Sequence, residues 1–207
     1  MITLALDTST PVGSVALLDG DRLIGEEQFG RDGLFPALEK LNPGSFDLIA
    51  VGIGPGSFTG IRAGIAAAKG LALPRAALLR AVNSFDAIAL GASGKMPADC
   101  AQMCVLCDGR RGEVYSGLYD RAGGPLGACR LATLEALAGE VHAPVWFVGP
   151  EMERYRVAIR ELFGGFATVC ESPVYPSAVA VGRLALAGRC SDRLEPLYLR
   201  TPAYKTL

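Results

Sequence analysis

An apolar run from Leu48 to Ile53 breaks into Gly54-Pro55-Gly56 and resumes at once as a helical pattern. No other stretch restricts the fold as tightly. The run predicts a buried strand, and Ser57 or Thr59 is placed to cap a helix on which Ile61, Ile65, Ala68 and Leu71 recur at helical spacing. Glycines in such a turn let the backbone approach whatever lies at the helix start, where unpaired N–H groups favour an anion. The competing reading is a tight strand-to-helix turn that holds nothing. Without a following Lys the turn is not a Walker A loop. Pro55 stands two residues before Ser57, so no Gly-x-Ser-x-Gly nucleophile elbow is spelled either.

Around this unit the pattern predicts strands at residues 2–6, 12–18 and 22–29, the last two joined through Asp19-Gly20-Asp21. A short helix at 34–41 ends at Asn42-Pro43-Gly44, and the strand at 47–53 and the helix at 57–72 follow. A strand at 76–81 and a helix at 84–90 close a βββαβαβα order, which predicts a mixed sheet. Gly91-Ala92-Ser93-Gly94-Lys95 reads as a linker, dividing the chain into residues 1–94 and 95–207. The second part is expected to hold strands at 103–107, 113–119, near 126–131, at 145–148 and at 167–170. Its helices fall at 134–137, 151–163 and 177–187. It loosely repeats the first, with Asp7 and Asp108 ending equivalent strands.

Composition removes several classes. The net charge is −1, with Lys and Arg scattered, and a protein that grips a polyanion unaided usually shows a concentrated basic stripe. No apolar run reaches the roughly 18 residues of a membrane span. Met1 to Asp7 has no basic segment, which argues against a signal peptide and for a cytoplasmic protein with reduced thiols. A single histidine, His142, rules out a His-pair zinc motif and reads as a surface residue at a helix–strand connection.

Three further features carry or mimic chemistry. Asp7-Thr8-Ser9-Thr10 after the first strand is similar to the phosphate loop of sugar-kinase and actin-like ATPases, where the acid holds magnesium-bound water. Cys100, Cys104 and Cys107 have the spacing of an iron–sulfur motif. Side chains three apart on a strand face opposite sides, however, so core cysteines are the better reading. On the central helix Gly60, Ala63, Gly64 and Ala67 form a small-residue stripe beside the apolar one. Together with Leu34, Phe35 and Leu38 on the short helix, it suggests a partner-binding face. On that reading Gly64→Leu weakens pairing and leaves the fold intact.

With these residues in view the chain resembles the TsaB (YeaZ) family of bacterial tRNA threonylcarbamoyladenosine biosynthesis proteins. The segments that carry the resemblance are residues 4–10, 50–62, 70–73, 108–115 and 196–200. It implies an α/β, actin-like ASKHA (ribonuclease H-like) fold of two related subdomains with mixed sheets flanked by helices. It implies a non-catalytic role, with no metal or cofactor, in which the chain supports the paralogue TsaD and the ATPase TsaE in threonylcarbamoyl transfer to the adenosine beside the anticodon. The tRNA is then met only through the complex. Asp7, Thr8, Ser9, Gly54, Gly56 and Ser57 would be a vestigial phosphate site. The family's His-Ser-Glu before the first helix is replaced by Gly30-Arg31-Asp32-Gly33, so the partner contact is expected to be reshaped, and a homodimer through the central helix is a second arrangement. The alternative function is a stand-alone ATP-dependent phosphotransferase using Asp7, Asp108 and the 54–57 loop.

Overall fold

The computed structural model describes residues 1–200. The first sheet is built from β1 (Ile2–Asp7), β2 (Gly13–Asp19), β3 (Arg22–Phe29), β4 (Leu48–Gly52) and β5 (Leu78–Val82) in the order β3-β2-β1-β4-β5. Its first three strands are antiparallel neighbours, whereas β1-β4 and β4-β5 are parallel. The second sheet is built from β6 (Gln102–Arg110), β7 (Glu113–Tyr119), β8 (Arg130–Ala132), β9 (Val145–Val148) and β10 (Ala167–Val169) in the order β10-β9-β6-β7-β8. Its pairings repeat the first sheet's strand for strand. The internal repeat is therefore a repeat of topology; Asp7 is the last residue of the central strand β1, and Asp108 lies at the register shift two residues before the end of the central strand β6.

Strand sequence follows strand position. β1, β2 and β4 are mostly apolar and lie buried on both faces, while the edge strand β3 carries Arg22 and Glu26 toward solvent. Helices α1 (Leu34–Leu41) and α2 (Phe58–Ala72) cover the outer face of the first sheet, burying Leu34, Leu38, Ile61, Ile65 and Ala68 against Leu4, Leu6, Val15 and Val51. Helices α3 (Ser84–Ala92) and α6 (Ala178–Leu186) lie on the inner side. α6 packs on Ala5, Ala16 and Leu18, and the opposite side of α3 packs on Met103, Val105 and Trp146 of the second sheet. Helices α4 (Leu134–Ala138) and α5 (Met152–Phe163) cover the far side through Leu137, Ile159 and Phe163. The result is five layers, helix–sheet–helix–sheet–helix.

Most elements differ from the sequence reading by a residue or two and β6 runs on to Arg110; three other differences have a physical reason. The strand expected at 76–81 starts at Leu78, because α2 runs into a 3₁₀ turn at Leu73–Arg75 and Ala76 adopts φ 50°. The strand expected near 126–131 shrinks to Arg130–Ala132: Leu126 to Ala128 are exposed, and near them the pairing with β7 is reduced to the Tyr119–Pro125 bridge and the Leu126 N to Leu118 O bond. α6, drawn within 95–207, packs on the first sheet, where Ser14 Oγ of β2 donates to Pro176 O at 3.1 Å and accepts from Ala178 N at 2.8 Å. Residues 201–207 of that division lie outside the described residues.

Candidate functional site

In doubly wound α/β sheets ligands bind beyond the C-terminal ends of the central strands. There the chain brings together all six residues of the expected phosphate site. Asp7 leaves β1 fully buried. Its Oδ1 accepts from Ser9 N at 2.7 Å and Ser9 Oγ at 2.6 Å, and its Oδ2 accepts from Ser84 Oγ at 2.6 Å. Ser84, the first residue of α3, also accepts from Gly54 N at 3.0 Å and donates its own N–H to Gly54 O at 2.8 Å. Ser57 N donates to Ser9 O at 2.7 Å, and Ser57 Oγ caps α2 by accepting from Gly60 N at 3.2 Å. Thr8 Oγ1 donates to Gly60 O at 2.7 Å. The glycines permit the closeness: a Cβ on Gly52 would run into the Asp7 carboxylate, and one on Gly56 into Ser9 O. The Asp7 carboxylate and the Thr8, Ser9 and Ser57 hydroxyls, which a phosphate loop would turn toward its ligand, are bonded here within the chain. Burial raises the Asp7 carboxyl above the usual carboxylate range, although the Ser84 and Ser9 hydrogen bonds oppose it.

The equivalent strand end of the second sheet is charged and open. Asp108 Oδ1 accepts from Arg110 N and Tyr155 OH, each at 2.9 Å, and its Oδ2 meets Arg154 at 2.6 Å and Arg110 at 3.2 Å. Desolvation works to raise this carboxyl, but the Arg110 N–H, the Tyr155 hydroxyl and the two guanidiniums outweigh it and hold it below the ordinary value. Glu151, at the start of α5, accepts from Asp108 N at 3.3 Å. Asp7 and Asp108 thus occupy related positions but lie in different surroundings, and neither is bonded to the other's loop.

Sequence reasoning missed what joins the two ends. After α6 the chain pairs with β5 at Ala81–Ser191, and Leu197 N then donates to Ile53 O at 2.9 Å. Tyr198 stacks on Phe58 at 5.4 Å between ring centroids and accepts from Arg62 Nε at 2.8 Å. Arg200 pairs with Glu113 at 2.7 Å and donates to Gly109 O and Arg110 O. Residues 196–200 had been singled out only by resemblance. Their signal was the aromatic and basic pair Tyr198 and Arg200 in an otherwise structureless tail.

The expected partner face is only partly outward. Phe35 is 62 % exposed and Ala63 is exposed, but Leu34, Leu38 and Ala67 belong to the outer core. Gly60 and Gly64 face Thr8 of the same chain: a Cβ on either would fall within 3.0 Å of Thr8 oxygen atoms, and Gly64's also within 3.3 Å of Leu6 Cδ1. These two glycines are explained by an intramolecular contact, so Gly64→Leu would disturb the fold itself. The error was geometric. At 100° per residue the glycine stripe lies roughly 95° from the Ile61 stripe, beside it and not opposite. The outward face of α2 is Arg62, Ala63, Ala66, Lys69 and Gly70, leading to Leu73, which is 85 % exposed.

The remaining candidates are structural. His142 is exposed between α4 and β9. Cys104 joins the outer core and Cys107 the inner one, on opposite faces of β6, and burial pushes the Cys104 thiol up to about 12.

A TsaB from Bacillus subtilis, a tRNA threonylcarbamoyladenosine biosynthesis protein, is 31% identical over 200 residues, covering 87% of this chain and 86% of that one. The chain belongs to the TsaB (YeaZ) family. The family model "TsaD: tRNA N6-adenosine threonylcarbamoyltransferase" also matches residues 37–156, from α1 into α5. YeaZ from Pseudomonas aeruginosa superposes with a TM-score of 0.77 at 26% identity, over 96% of this chain and 99% of that one. The activator of 2-hydroxyisocaproyl-CoA dehydratase from Clostridium difficile, solved with bound ADPNP, shares the fold alone. Its TM-score is 0.52 at 12% identity, over 91% of this chain and 95% of that one. The TsaB-family chain thus has the actin-like ASKHA fold, with two mixed five-stranded sheets flanked by helices. Among its described residues no helix is long and apolar enough to cross a membrane.

Proposed function

We propose that the chain acts in tRNA threonylcarbamoyladenosine biosynthesis as a cytoplasmic binding subunit, pairing with TsaD and meeting TsaE at their junction, with no chemistry of its own. Membership of the TsaB family supports the pathway. The support for the subunit role is the Asp7 carboxylate. An ASKHA ATPase presents this acid toward magnesium and phosphate, whereas here it is buried and bonded to Ser9 and Ser84. The hydroxyls and amides of the Gly54–Ser57 turn are engaged with Ser9, Ser84 and the start of α2. Opening this site to a nucleotide would break several buried hydrogen bonds, each with a carboxylate or amide left unpaired at about 1–3 kcal/mol.

The partner face is the outward surface of α1 and α2: Phe35, Ala63, Ala66, Gly70 and Leu73. Leu34, Leu38 and Ala67 support it from beneath. Gly60 and Gly64 hold the loop at Thr8 and do not form the contact. Small side chains on a helix let a second helix approach closely, and a second copy of the chain would use the same face. Light scattering on a sizing column, with and without TsaD, tests the reading. It expects one-to-one co-elution that Ala66→Arg abolishes. Absence of co-elution overturns it, and micromolar Mg-ATP binding with turnover by the lone protein would establish the phosphotransferase instead.

A further inference from the structure

The two charged ends of the molecule form one continuous surface. Arg62 lies on α2, Arg110 and Arg111 at the tip of the β6–β7 hairpin, Arg154 on α5 and Arg200 in the tail. They are linked through Tyr198, the Gly109 and Arg110 carbonyls, and Asp108. Five arginines here face three acids, Asp108, Glu113 and Glu151; the Asp108 side chain is 8 % exposed against 82 % for Arg110 and 60 % for Arg154, while Arg200 and its partner Glu113 are about equally half-buried. The outward charge is therefore positive on a chain whose net charge is −1.

Two observations separate this band from an ordinary solvated surface. Arg110 and Arg111 have φ of 66° and 56°, in the left-handed region that favours glycine or asparagine, so the hairpin holds two arginines where its backbone selects against them. Beside them lie two stacked aromatic rings, Phe58 at 55 % and Tyr198 at 47 % exposure, with the Arg62 guanidinium 4.0 Å from the Phe58 ring centroid. An acidic protein would be served by the arginines alone. Exposed rings interleaved with arginines suit a ligand that presents both phosphates and flat bases.

We infer that this band is a contact surface for single-stranded RNA, with Phe58 and Tyr198 stacking an unpaired base and Arg110, Arg111 and Arg154 holding the neighbouring phosphates. The choice of RNA rests on the pathway proposed above, and it makes the chain a direct RNA contact within the complex. The band meets the α1–α2 face at Arg62, but Arg110, Arg111 and Tyr198 lie on neither helix, so substitutions there test the two surfaces separately.

The test is fluorescence anisotropy with a labelled anticodon stem-loop transcript, titrated at several salt concentrations with and without TsaD. Arg110→Asn with Arg111→Asn removes two charges at positions where asparagine suits the backbone, so folding is preserved. The expected result is a log–log salt dependence shallower by about 0.7 for each lost phosphate contact. Tyr198→Leu is expected to lower affinity about fivefold or more at every salt concentration with the slope unchanged. Arg22→Glu with Arg75→Glu, at the opposite end of the first sheet, should change neither. Equal binding by all variants overturns the inference, as does competition by poly-glutamate as strong as by RNA. Failure of the wild type to bind the transcript while it pairs with TsaD overturns this inference alone, whereas failure of the wild type to pair with TsaD overturns the subunit reading.

Discussion

Gly64→Ala is the substitution on which the intramolecular reading of α2 stands or falls. The added Cβ would come within 3.0 Å of Thr8 Oγ1, whose hydroxyl donates to Gly60 O at 2.7 Å. Two responses are open. Thr8 can rotate, leaving a nearly buried hydroxyl unpaired at about 1–3 kcal/mol. Alternatively α2 can be pushed off β1, and overpacking of this kind costs about 1–3 kcal/mol. Alanine recovers about 1 kcal/mol over glycine in a helix interior, so the net loss is about 0–2 kcal/mol. For a chain of this size that lowers Tm by up to about 8 °C. Gly70 supplies the internal reference, because it lies on the same helix and a Cβ there meets nothing within 4 Å. Gly70→Ala should raise Tm by about 2–4 °C. Urea unfolding of both variants, together with Thr8→Ala and its combination with Gly64→Ala, completes a double-mutant cycle in which Thr8→Ala makes room for the new methyl. If Gly64→Ala stabilises the lone protein as Gly70→Ala does, the contact with Thr8 is not what places glycine there.

Two further predictions concern titration and thiols. Asp108 has a lowered carboxyl in the folded chain, so its contribution to stability is complete above the unfolded value of about 4 and is lost as pH falls through the folded one. Asp108→Asn should therefore be less stable than wild type at pH 7, and the gap should close on acidification below pH of about 4, read by urea midpoints across the pH range; a pH-independent gap would contradict the assignment. Cys100, Cys104 and Cys107 are buried, and Cys104 is pushed up to about 12. A thiol reagent should leave these three unreacted in the native protein and reach all six only after unfolding, as a timed titration would show.

Much of the architecture was legible because predominantly apolar strand segments alternate with Gly, Pro and Asp signals. β3, β7, α1 and β9 fall at the residues the pattern names. Periodicity also located the Gly54–Ser57 turn and the residues that converge on it. It could not say whether Asp7 faces a ligand or the chain itself, because that depends on Ser84, which is 77 residues away and chemically unremarkable in its local sequence. The same limit applied to Gly60 and Gly64. A helical wheel shows which residues share a stripe, but only the position of Thr8 shows which stripe is covered. The arginine band was invisible for a related reason. Its members come from four separate elements, so charge looked scattered along the chain although it is gathered in space.

The placement of α6 bears on how the chain is made. The inner face of the first sheet is finished by residues 178–186, and the contact that seats them joins residues 162 apart in the chain, so Ala5, Ala16 and Leu18 have no complete cover until that helix has been synthesised. In that interval the earliest strands lack their second apolar wall, and a nascent chain exposes an aggregation-prone sheet.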